Sequence, residues 1–207
     1  MSLARVQNFS ISLDGFGTGE GQTHEAHFGH AGDRLHEWMF ATRWWQPGGT
    51  GGIDDAFARL FDAGIGAEIM GAGKFGHPGW HEDPDWKGAW GPNPPFHTPV
   101  FVLTHHTRPS IEMQGATTFH FIDASPAEAL ATAREAADGK DVGLMGGGVV
   151  TEALKAGLVD EVILHQVPIL LGGGRPFFQS LPEHVRLRLV EAVPAPGVTH
   201  LRYAVER

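Results

Sequence analysis

Short apolar runs rich in β-branched residues alternate with helix signals through the second half of the chain, and this alternation most restricts the possible fold. Val100–Leu103, Thr117–Ile122 and Val142–Met145 are predicted strands. Between the last two, Ser125-Pro126-Ala127-Glu128 supplies a helix N-cap, a proline at the first helical position and an acid in the first turn. Strands that alternate with helices are typical of a mainly parallel sheet covered on both faces. The sequence therefore predicts an α/β fold.

The other predicted elements extend this pattern on both sides. They are strands at Val6–Leu13, Ala67–Met70 and Val159–Leu171, helices at Asp33–Trp45, Ile53–Ala63, Ser125 to about Gly139 and Val149–Ala156, and an antiparallel hairpin of Val185–Val193 and Val198–Val205. We expect one domain over residues 1–207, with a Gly/His/Trp-rich insertion around 17–97. Its predicted architecture is three layers, α/β/α, with a mixed and mainly parallel central sheet and a C-terminal antiparallel hairpin.

Composition excludes several classes of function. The chain has 207 residues with 15 basic and 24 acidic side chains, a formal charge of −9 that would repel nucleic acid and anionic membranes. It has no cysteine, so disulfides, thiol nucleophiles and thiolate-held metals are excluded for these residues. No segment approaches the roughly 20 apolar residues of a membrane span, and no signal peptide is recognisable. We therefore expect a cytoplasmic protein.

The strongest local signal is the triple glycine Gly146–Gly148, which follows a predicted strand and precedes a predicted helix. Glycine lets the backbone approach a ligand closely, and the N-terminus of a helix offers N–H groups and a partial positive charge to a phosphate. The spacing is neither the Gly-x-Gly-x-x-Gly dinucleotide motif nor a Walker motif. A tight strand-to-helix turn without any ligand explains the same residues equally well.

Two more polar patches follow predicted strands. Met70–Phe75 contains three glycine or alanine residues and Lys74, and Thr104–Arg108 carries hydroxyl, imidazole and guanidinium groups. Lys74 and Arg108 would bind phosphate, or each would simply be a solvated surface cation. Open α/β sheets bind ligands at the carboxyl ends of their strands. Three patches at such ends together favour a nucleotide cofactor more than any one of them does.

Histidine and tryptophan are concentrated in the first half of the chain. His24, His27 and His30 permit a metal site, although the spacing is not His-Glu-x-x-His, and a loop without metal is the preferred interpretation. All six tryptophans lie between Trp38 and Trp90. Together with His77, His81 and His97 they would line an aromatic pocket, but a loop packed down by indole rings is favoured.

Taken in order, the motifs resemble the dihydrofolate reductase-like superfamily. They look closest to the reductase domain of the riboflavin-biosynthesis bifunctional deaminase-reductase and its stand-alone relatives. The matching segments are Ser12–Phe16, Ile69–Gly73, Pro99–Thr104, Gly146–Gly148, Gly157–Glu161 and Pro168–Gly174. The resemblance runs from about Val6 to Phe178, and the stretch from Gly157 to Gly172 is its most specific part.

This resemblance implies a reduced nicotinamide cofactor, NADPH with NADH as the alternative, and a homodimer. Hydride would pass to a C=N or C=O carbon of a small heterocyclic substrate, as in 5-amino-6-(5-phosphoribosylamino)uracil reductase. The implied cofactor-binding residues are Leu13, Gly15, Phe16, Gly71, Ala72, Gly73, Lys74, Phe75, Thr104, His105, His106, Arg108, Met145, Gly146, Gly147, Gly148, Val149 and Val150. Asp14 is the candidate catalytic residue, with a hydrogen-bonded turn before Gly15 as its other interpretation.

One departure from the family pattern bears on cofactor preference. Ala72 stands where relatives usually carry an arginine that serves phosphate binding. One alternative is a true dihydrofolate reductase. The other, which follows from the missing arginine and the lack of a clear catalytic acid, is a nucleotide-binding protein that keeps the fold without turnover. No acidic residue in a clearly matching helix is available to protonate a pterin, which disfavours the first of these.

Overall fold

The computed structural model describes residues 2–23 and 25–207, with Asn8 described by its backbone alone. The strands are β1 (Ala4–Ser12), β2 (Phe16–Thr18), β3 (Ile65–Gly71), β4 (Pro99–Leu103), β5 (Ile111–Glu112), β6 (Thr118–Ile122), β7 (Asp141–Met145), β8 (Glu161–Val167), β9 (Arg175–Pro176), β10 (Leu187–Ala195) and β11 (Val198–Val205). The α-helices are α1 (Glu37–Phe40), α2 (Ile53–Ala58), α3 (Ala72–Phe75), α4 (Pro126–Ala136) and α5 (Gly147–Lys155). Short 3-10 helices cover Gly32–Leu35, Arg59–Phe61, Trp80–Glu82 and Gln114–Ala116.

The chain forms two compact units. The first comprises the residues up to Arg5 and Gly64–Val159, and the second comprises Val6–Ala63 and Asp160–Arg207. In the first unit the strand order is β7-β3-β4-β6-β5, in which β7, β3, β4 and β6 are parallel and β5 is antiparallel. In the second unit the order is β10-β11-β8-β1, and β8, β11 and β10 are antiparallel.

This confirms the predicted fold class, a mixed and mainly parallel sheet with helices and a C-terminal antiparallel hairpin. The parallel strands are mainly apolar and buried; all six residues Ile65–Met70 of β3, for example, are buried, including Glu68. Among the described residues, no helix is both long and apolar enough to cross a membrane.

Helix α4 forms as its sequence predicts because its signals are local. The Ser125 side chain accepts a hydrogen bond from the backbone N–H of Glu128, and the Glu128 carboxylate accepts one from the backbone N–H of Ser125. Pro126 opens the helix, and the chain leaves it through Asp138 and Gly139, both with positive φ.

The prediction of one helix over Asp33–Trp45 is wrong. The structure has a 3-10 turn at Gly32–Leu35 followed by the single turn of α1. The Trp44 backbone N–H donates to the Asp55 carboxylate at 2.7 Å instead of to a helical carbonyl, and the Thr42 hydroxyl donates to the Met39 carbonyl oxygen at 2.7 Å. These side chains compete with the helical ladder and end it.

Two further predicted elements are shorter than expected. The helix predicted over Ile53–Ala63 is α-helical only to Ala58 and then continues as a 3-10 turn. The strand predicted over Val159–Leu171 is β8, which ends at Val167 because Pro168 has no N–H to continue the ladder. The backbone N–H of Ile169 turns back to the Val167 carbonyl oxygen.

Candidate functional site

The carboxyl ends of three parallel strands lie side by side in the first unit. Met70 of β3 is in register with Met145 of β7, and Gly71 of β3 is in register with Leu103 of β4. The turns that leave these strands carry the three predicted patches, Gly146–Gly148, Met70–Phe75 and Thr104–Arg108. The structure therefore brings these three segments to one edge of one sheet.

Two of these turns touch through their glycines. A Cβ atom built on Gly146 would lie 3.6 Å from Lys74 Cβ and 4.0 Å from the backbone nitrogen of Gly71. A Cβ on Gly71 would lie 3.3 Å from Val149 Cγ2 in the first turn of α5. Gly146 has φ 93°, a conformation that favours glycine. A larger residue would therefore crowd Val149 at position 71, whereas at position 146 the positive φ, rather than the space, disfavours it.

The N-terminus of α5 is open on the side of Gly148. A Cβ built on Gly148 would meet no atom within 4 Å. The first helical hydrogen bond runs from the Val150 N–H to the Gly146 carbonyl oxygen, so the helix itself provides no carbonyl for the N–H groups of Gly147–Val149. These donors and the helix dipole are suited to an anion.

Several predicted cofactor-binding residues around the Gly146 turn have buried side chains. Met145, Val149 and Val150 are buried, so only their backbone would reach a ligand. Phe75 is fully buried, with its ring against Trp80, Phe119 and Phe121. Burial lowers the pKa of the Lys74 ammonium. Ala72 opens α3 and brings no charge to this edge.

The segment after β4 is largely engaged with its own unit. The Thr104 hydroxyl accepts a hydrogen bond from the His106 N–H at 3.0 Å, and His105 Nδ1 lies 2.9 Å from an Asp123 carboxylate oxygen. The His106 ring stacks on His81 with centroids 3.7 Å apart. These contacts order the segment and leave the imidazole of His105 exposed.

The Arg108 guanidinium binds the loop before β4. Its guanidinium donates to the carbonyl oxygens of Asp83 and Pro84, at 3.4 and 2.8 Å, and lies 5.5 Å from the centre of the Phe121 ring. The indole rings of Trp80 and Trp90 pack the same loop against Phe121 and Phe119. The interpretation of this region as a loop packed down by indole rings is therefore confirmed.

The Leu13–Phe16 turn belongs to the second unit and is closed by its own residues. The Asp14 carboxylate accepts hydrogen bonds from the Ser12 hydroxyl and from the backbone N–H groups of Leu171 and Gly172, the last two at 3.1 and 2.8 Å. The Ser12 hydroxyl first, and then these N–H groups, hold the pKa of Asp14 below its usual value. Asp14 is therefore an ionised acceptor that ties two loops together.

Exposed apolar side chains flank this turn. The Leu13 side chain is 57% exposed and the Leu170 side chain is 72% exposed. The Leu13 N–H donates to the Ile169 carbonyl oxygen at 2.8 Å, which joins the two loops beside the Asp14 bonds. Phe16 begins β2 and pairs with Pro176 of β9.

A buried polar chain in the second unit was not predicted from the sequence. His165 Nδ1 of β8 lies 2.8 Å from His200 Nδ1 of β11, and His200 Nε2 lies 2.9 Å from an Asp54 carboxylate oxygen of α2. Both imidazoles are fully buried, between Trp38 and Phe57. The carboxylate requires a proton on His200 Nε2, so neutral His200 accepts at Nδ1 from His165 Nδ1–H.

Burial lowers the pKa of His165 well below its usual value, and the neighbouring His200 and His36 lower it further. Burial also lowers the pKa of His200, although Asp54 opposes this change. Both rings are therefore neutral at neutral pH. The only signal in the sequence was one histidine inside each of two predicted apolar strands, which does not reveal that the two strands place them together.

No group of three or more metal-ligating side chains occurs within residues 2–23 and 25–207. His27 and His30 lie in that range, whereas His24 of the alternative metal site lies outside the described residues.

The sequence profile of the family described as "RibD C-terminal domain" matches residues 6–201. The chain belongs to this family. The matched stretch is nearly the whole chain, and it confirms the resemblance to the riboflavin-biosynthesis reductase domain. A curated relative, an uncharacterized protein YyaP of Bacillus subtilis, is 40% identical over 67 residues, which are 31% of this chain and 36% of that protein. The matched region thus spans about a third of that relative.

Solved structures show the same fold at low sequence identity. A putative riboflavin biosynthesis protein from Shewanella is similar over the full length of both chains, with TM-score 0.68 and 22% identity. A deaminase/5-amino-6-(5-phosphoribosylamino)uracil reductase from Thermotoga maritima has TM-score 0.56 and 12% identity, covering 99% of this chain and 56% of that one. Dihydrofolate reductase from Enterococcus faecalis has TM-score 0.53 and 15% identity, covering 100% and 97%. The fold is therefore dihydrofolate reductase-like.

Proposed function

We propose that this protein is an NAD(P)H-dependent reductase that transfers a hydride to a small heterocyclic substrate, with an activity similar to that of 5-amino-6-(5-phosphoribosylamino)uracil reductase. The observation that carries this proposal is the contact of Gly146 with Gly71 and Lys74 in front of the first turn of α5. Backbone N–H groups, a helix N-terminus and a lysine whose Cβ lies beside the turn together suit a pyrophosphate. Membership of the reductase family supports the same conclusion.

The N–H donors at the N-terminus of α5 fit the pyrophosphate, which is the part of the cofactor that NADPH and NADH share. The space beside Gly148 would admit a phosphate because no side chain fills it. Two cations that would select the 2′-phosphate of NADPH are not available, since Ala72 replaces the usual arginine and Arg108 is bonded to carbonyl oxygens. We propose NADPH on the family pattern and expect NADH to bind with similar affinity.

The bound nicotinamide would supply the hydride, and the chain would bind, orient and exclude water. Asp14 remains our candidate for a polar role in catalysis. Its carboxylate is ionised and already accepts three hydrogen bonds, so we expect it to fix the Leu13–Phe16 turn rather than to donate a proton.

One observation favours a second candidate function. Because Asp14 is held as an acceptor, the turn offers no evident proton donor, which suits a nucleotide-binding protein without turnover. Oxidation of bound NADPH by a panel of pterins, flavin precursors and quinones separates the two functions. Turnover with any member supports the reductase, and binding without turnover across the panel supports the second candidate.

The first experiment is a titration of the protein with NADPH and NADH, followed by nicotinamide fluorescence. We expect micromolar dissociation constants for both. A protein that binds neither in this range would refute both candidate functions, because each requires the same nucleotide site.

The site itself is tested by Gly148→Asp, which places a carboxylate at the second position of α5. An acid there favours the helix but repels a phosphate, so we expect unchanged thermal stability and at least about tenfold weaker NADPH binding. Ala127→Asp is the matched control, since Ala127 is the exposed second position of α4. Equal NADPH affinities in the two variants would contradict the placement of the pyrophosphate.

The cytoplasmic location and the homodimer expected from the sequence remain predictions.

A further inference from the structure

The second unit contains an open cavity of about 350 Å³, and none of the residues predicted to bind the cofactor lines it. Its walls are Arg34, Glu37 and Trp38 around the start of α1, residues 167–169 at the end of β8, and residues 196–197 in the turn between β10 and β11. The volume lies near the lower end of the roughly 300–1,000 Å³ that is typical of small-molecule sites. The cavity therefore suits a ligand much smaller than a dinucleotide.

One wall of the cavity carries two opposite charges. Arg34 lies in the 3-10 turn Gly32–Leu35 and Glu37 opens α1, and both side chains are exposed. Among the residues that the structure describes, neither of these side chains forms a hydrogen bond or an ion pair. Side chains three residues apart on a helical turn are neighbours. A small ligand would therefore meet a guanidinium and a carboxylate side by side.

The wall at the end of β8 and the hairpin turn is apolar and offers few backbone donors. Pro168 and Pro196 have no N–H group. The Ile169 N–H donates to the Val167 carbonyl oxygen at 2.8 Å, and the Ile169 carbonyl oxygen accepts from the Leu13 N–H at 2.8 Å. These backbone groups are therefore already used within the chain. The polar groups of a ligand would be recognised mainly by the charged wall.

Trp38 gives the cavity a fixed wall. Its side chain is buried, its indole N–H donates to the Ser10 hydroxyl at 2.9 Å, and its ring packs against His165 with the ring centroids 4.4 Å apart. These contacts hold the indole in one position. Binding in the cavity would therefore not require this side chain to be ordered first, which lowers the cost of binding.

We propose that this cavity binds a free α-amino acid with an aliphatic side chain, such as leucine. The carboxylate of the ligand would bind Arg34, its ammonium would bind Glu37, and its side chain would pack against Val167 and Ile169. An α-amino acid carries both charges on neighbouring atoms, so it satisfies both side chains at once. A simple anion such as phosphate would instead lie beside the Glu37 carboxylate, which repels it.

This site does not rest on the proposed reductase function, because its lining residues include none of those assigned to the nucleotide. Leucine binding is therefore measured without nucleotide, and NADPH binding is measured on a separate sample of the same protein. Loss of one with retention of the other distinguishes a failure of this site from a failure of the proposed function.

The first experiment compares leucine with two analogues that each lack one charge. Leucinamide lacks the carboxylate and isocaproate lacks the ammonium. NMR titration of the isotope-labelled protein follows the Trp38 indole N–H and the Gly197 amide, which both lie at the cavity. We expect a dissociation constant on the order of 1 mM for leucine. Each analogue should bind about fivefold more weakly, the upper range for an exposed ion pair.

The second experiment assigns each ligand charge to its side chain. Arg34→Gln should bind leucine about fivefold more weakly and should no longer prefer leucine over leucinamide. Glu37→Gln should lose the preference for leucine over isocaproate in the same way. Arg186→Gln and Glu183→Gln are the matched controls, since both residues are exposed, belong to the same unit and lie outside the cavity. Both controls should keep the wild-type preferences.

Three outcomes would overturn the proposal. The first is the absence of saturable leucine binding up to about ten times the expected dissociation constant. The second is a wild-type protein that binds leucinamide and isocaproate as tightly as leucine. The third is a pair of variants, Arg34→Gln and Glu37→Gln, that keep the wild-type preference among the three ligands. A folded variant is confirmed by an otherwise unchanged NMR spectrum, so a loss of folding is not mistaken for a loss of binding.

Discussion

Two strand-ending turns of this protein look alike in sequence and differ in what they do with their polar groups. The turn after β1 contains Gly15 with φ 88°, and the turn after β7 contains Gly146 with φ 93°. In the first, Asp14 takes up backbone N–H groups of a neighbouring loop. In the second, the first turn of α5 faces open space at Gly148. A glycine after a strand therefore indicates a ligand site only when the chain leaves its own donors unused.

The same contrast extends to the side chains of the two units. The second unit links polar side chains of three elements in the chain of His165, His200 and Asp54. The first unit packs its loops with aromatic rings around Phe75 and keeps its helix N-terminus open. If this contrast holds, substitutions in the buried chain of the second unit should alter stability, and substitutions at the open turn of the first unit should alter ligand binding.

His200→Phe is expected to lower the free energy of unfolding by about 3 kcal/mol, because it leaves the Asp54 carboxylate and His165 Nδ1–H without their partner. Urea unfolding followed by tryptophan fluorescence measures this change. His184→Phe is the matched control at an exposed histidine of the same unit. If both variants had the same urea midpoint, the buried chain would contribute nothing to stability.

Acid is expected to destabilise the second unit through the same two histidines. Their pKa values in the folded protein are lowered from 6.5, so the unfolded chain binds protons first as the pH falls. Their contribution is complete above pH 6.5 and is lost as the pH falls toward their folded pKa values, by up to about 1.4 kcal/mol per pH unit for each proton. Urea unfolding between pH 7.5 and 5 measures this slope. The slope should be smaller in His200→Phe, and an unchanged slope would assign the pH dependence to other groups.

Lys74→Ala is expected to weaken NADPH binding about tenfold, since it removes the cationic side chain whose Cβ lies beside the Gly146 turn. Lys74→Arg should retain most of the affinity. Lys140→Ala is the control, because Lys140 immediately precedes the opposite end of β7. Fluorescence titration that finds Lys74→Ala and Lys140→Ala equal to the wild type would remove Lys74 from the site.

Asp14→Asn is expected to give the smallest effect. It keeps the size of the side chain but weakens the acceptor for the Leu171 and Gly172 N–H groups, so these two amides should exchange with solvent faster than in the wild type. Hydrogen exchange measured by NMR reports them individually. NADPH affinity should stay unchanged, and a large loss of affinity would show that Asp14 does more than close its turn.

The features that the sequence predicted correctly depend on residues close together along the chain. The capping box of α4, the apolar strands and the three glycine or polar patches after strands all follow from patterns shorter than about a dozen residues, and parallel strands bring their carboxyl ends together. Sequence also predicted the two alternatives for Asp14, although it did not supply the partners Leu171 and Gly172.

The features that the sequence did not predict depend on contacts between residues that are far apart along the chain. The helix expected over Asp33–Trp45 ends early because Asp55, eleven residues beyond Trp44, takes its N–H. Arg108 was expected at a phosphate, but carbonyl oxygens more than twenty residues earlier hold it. The His165–His200–Asp54 chain joins three elements across 146 residues of sequence. No local pattern contains these pairings.

The hydrogen bonds from Arg108 to Asp83 and Pro84 determine where the segment between α3 and β4 can accept insertions and deletions. The 23 residues between α3 and β4 form a shorter and a longer loop rather than one long loop, because the guanidinium binds the eighth and ninth of them. Closing two loops restricts the chain separately on each side of these hydrogen bonds. Insertions or deletions between Pro84 and β4 would therefore leave the shorter loop, with Trp80, in its place.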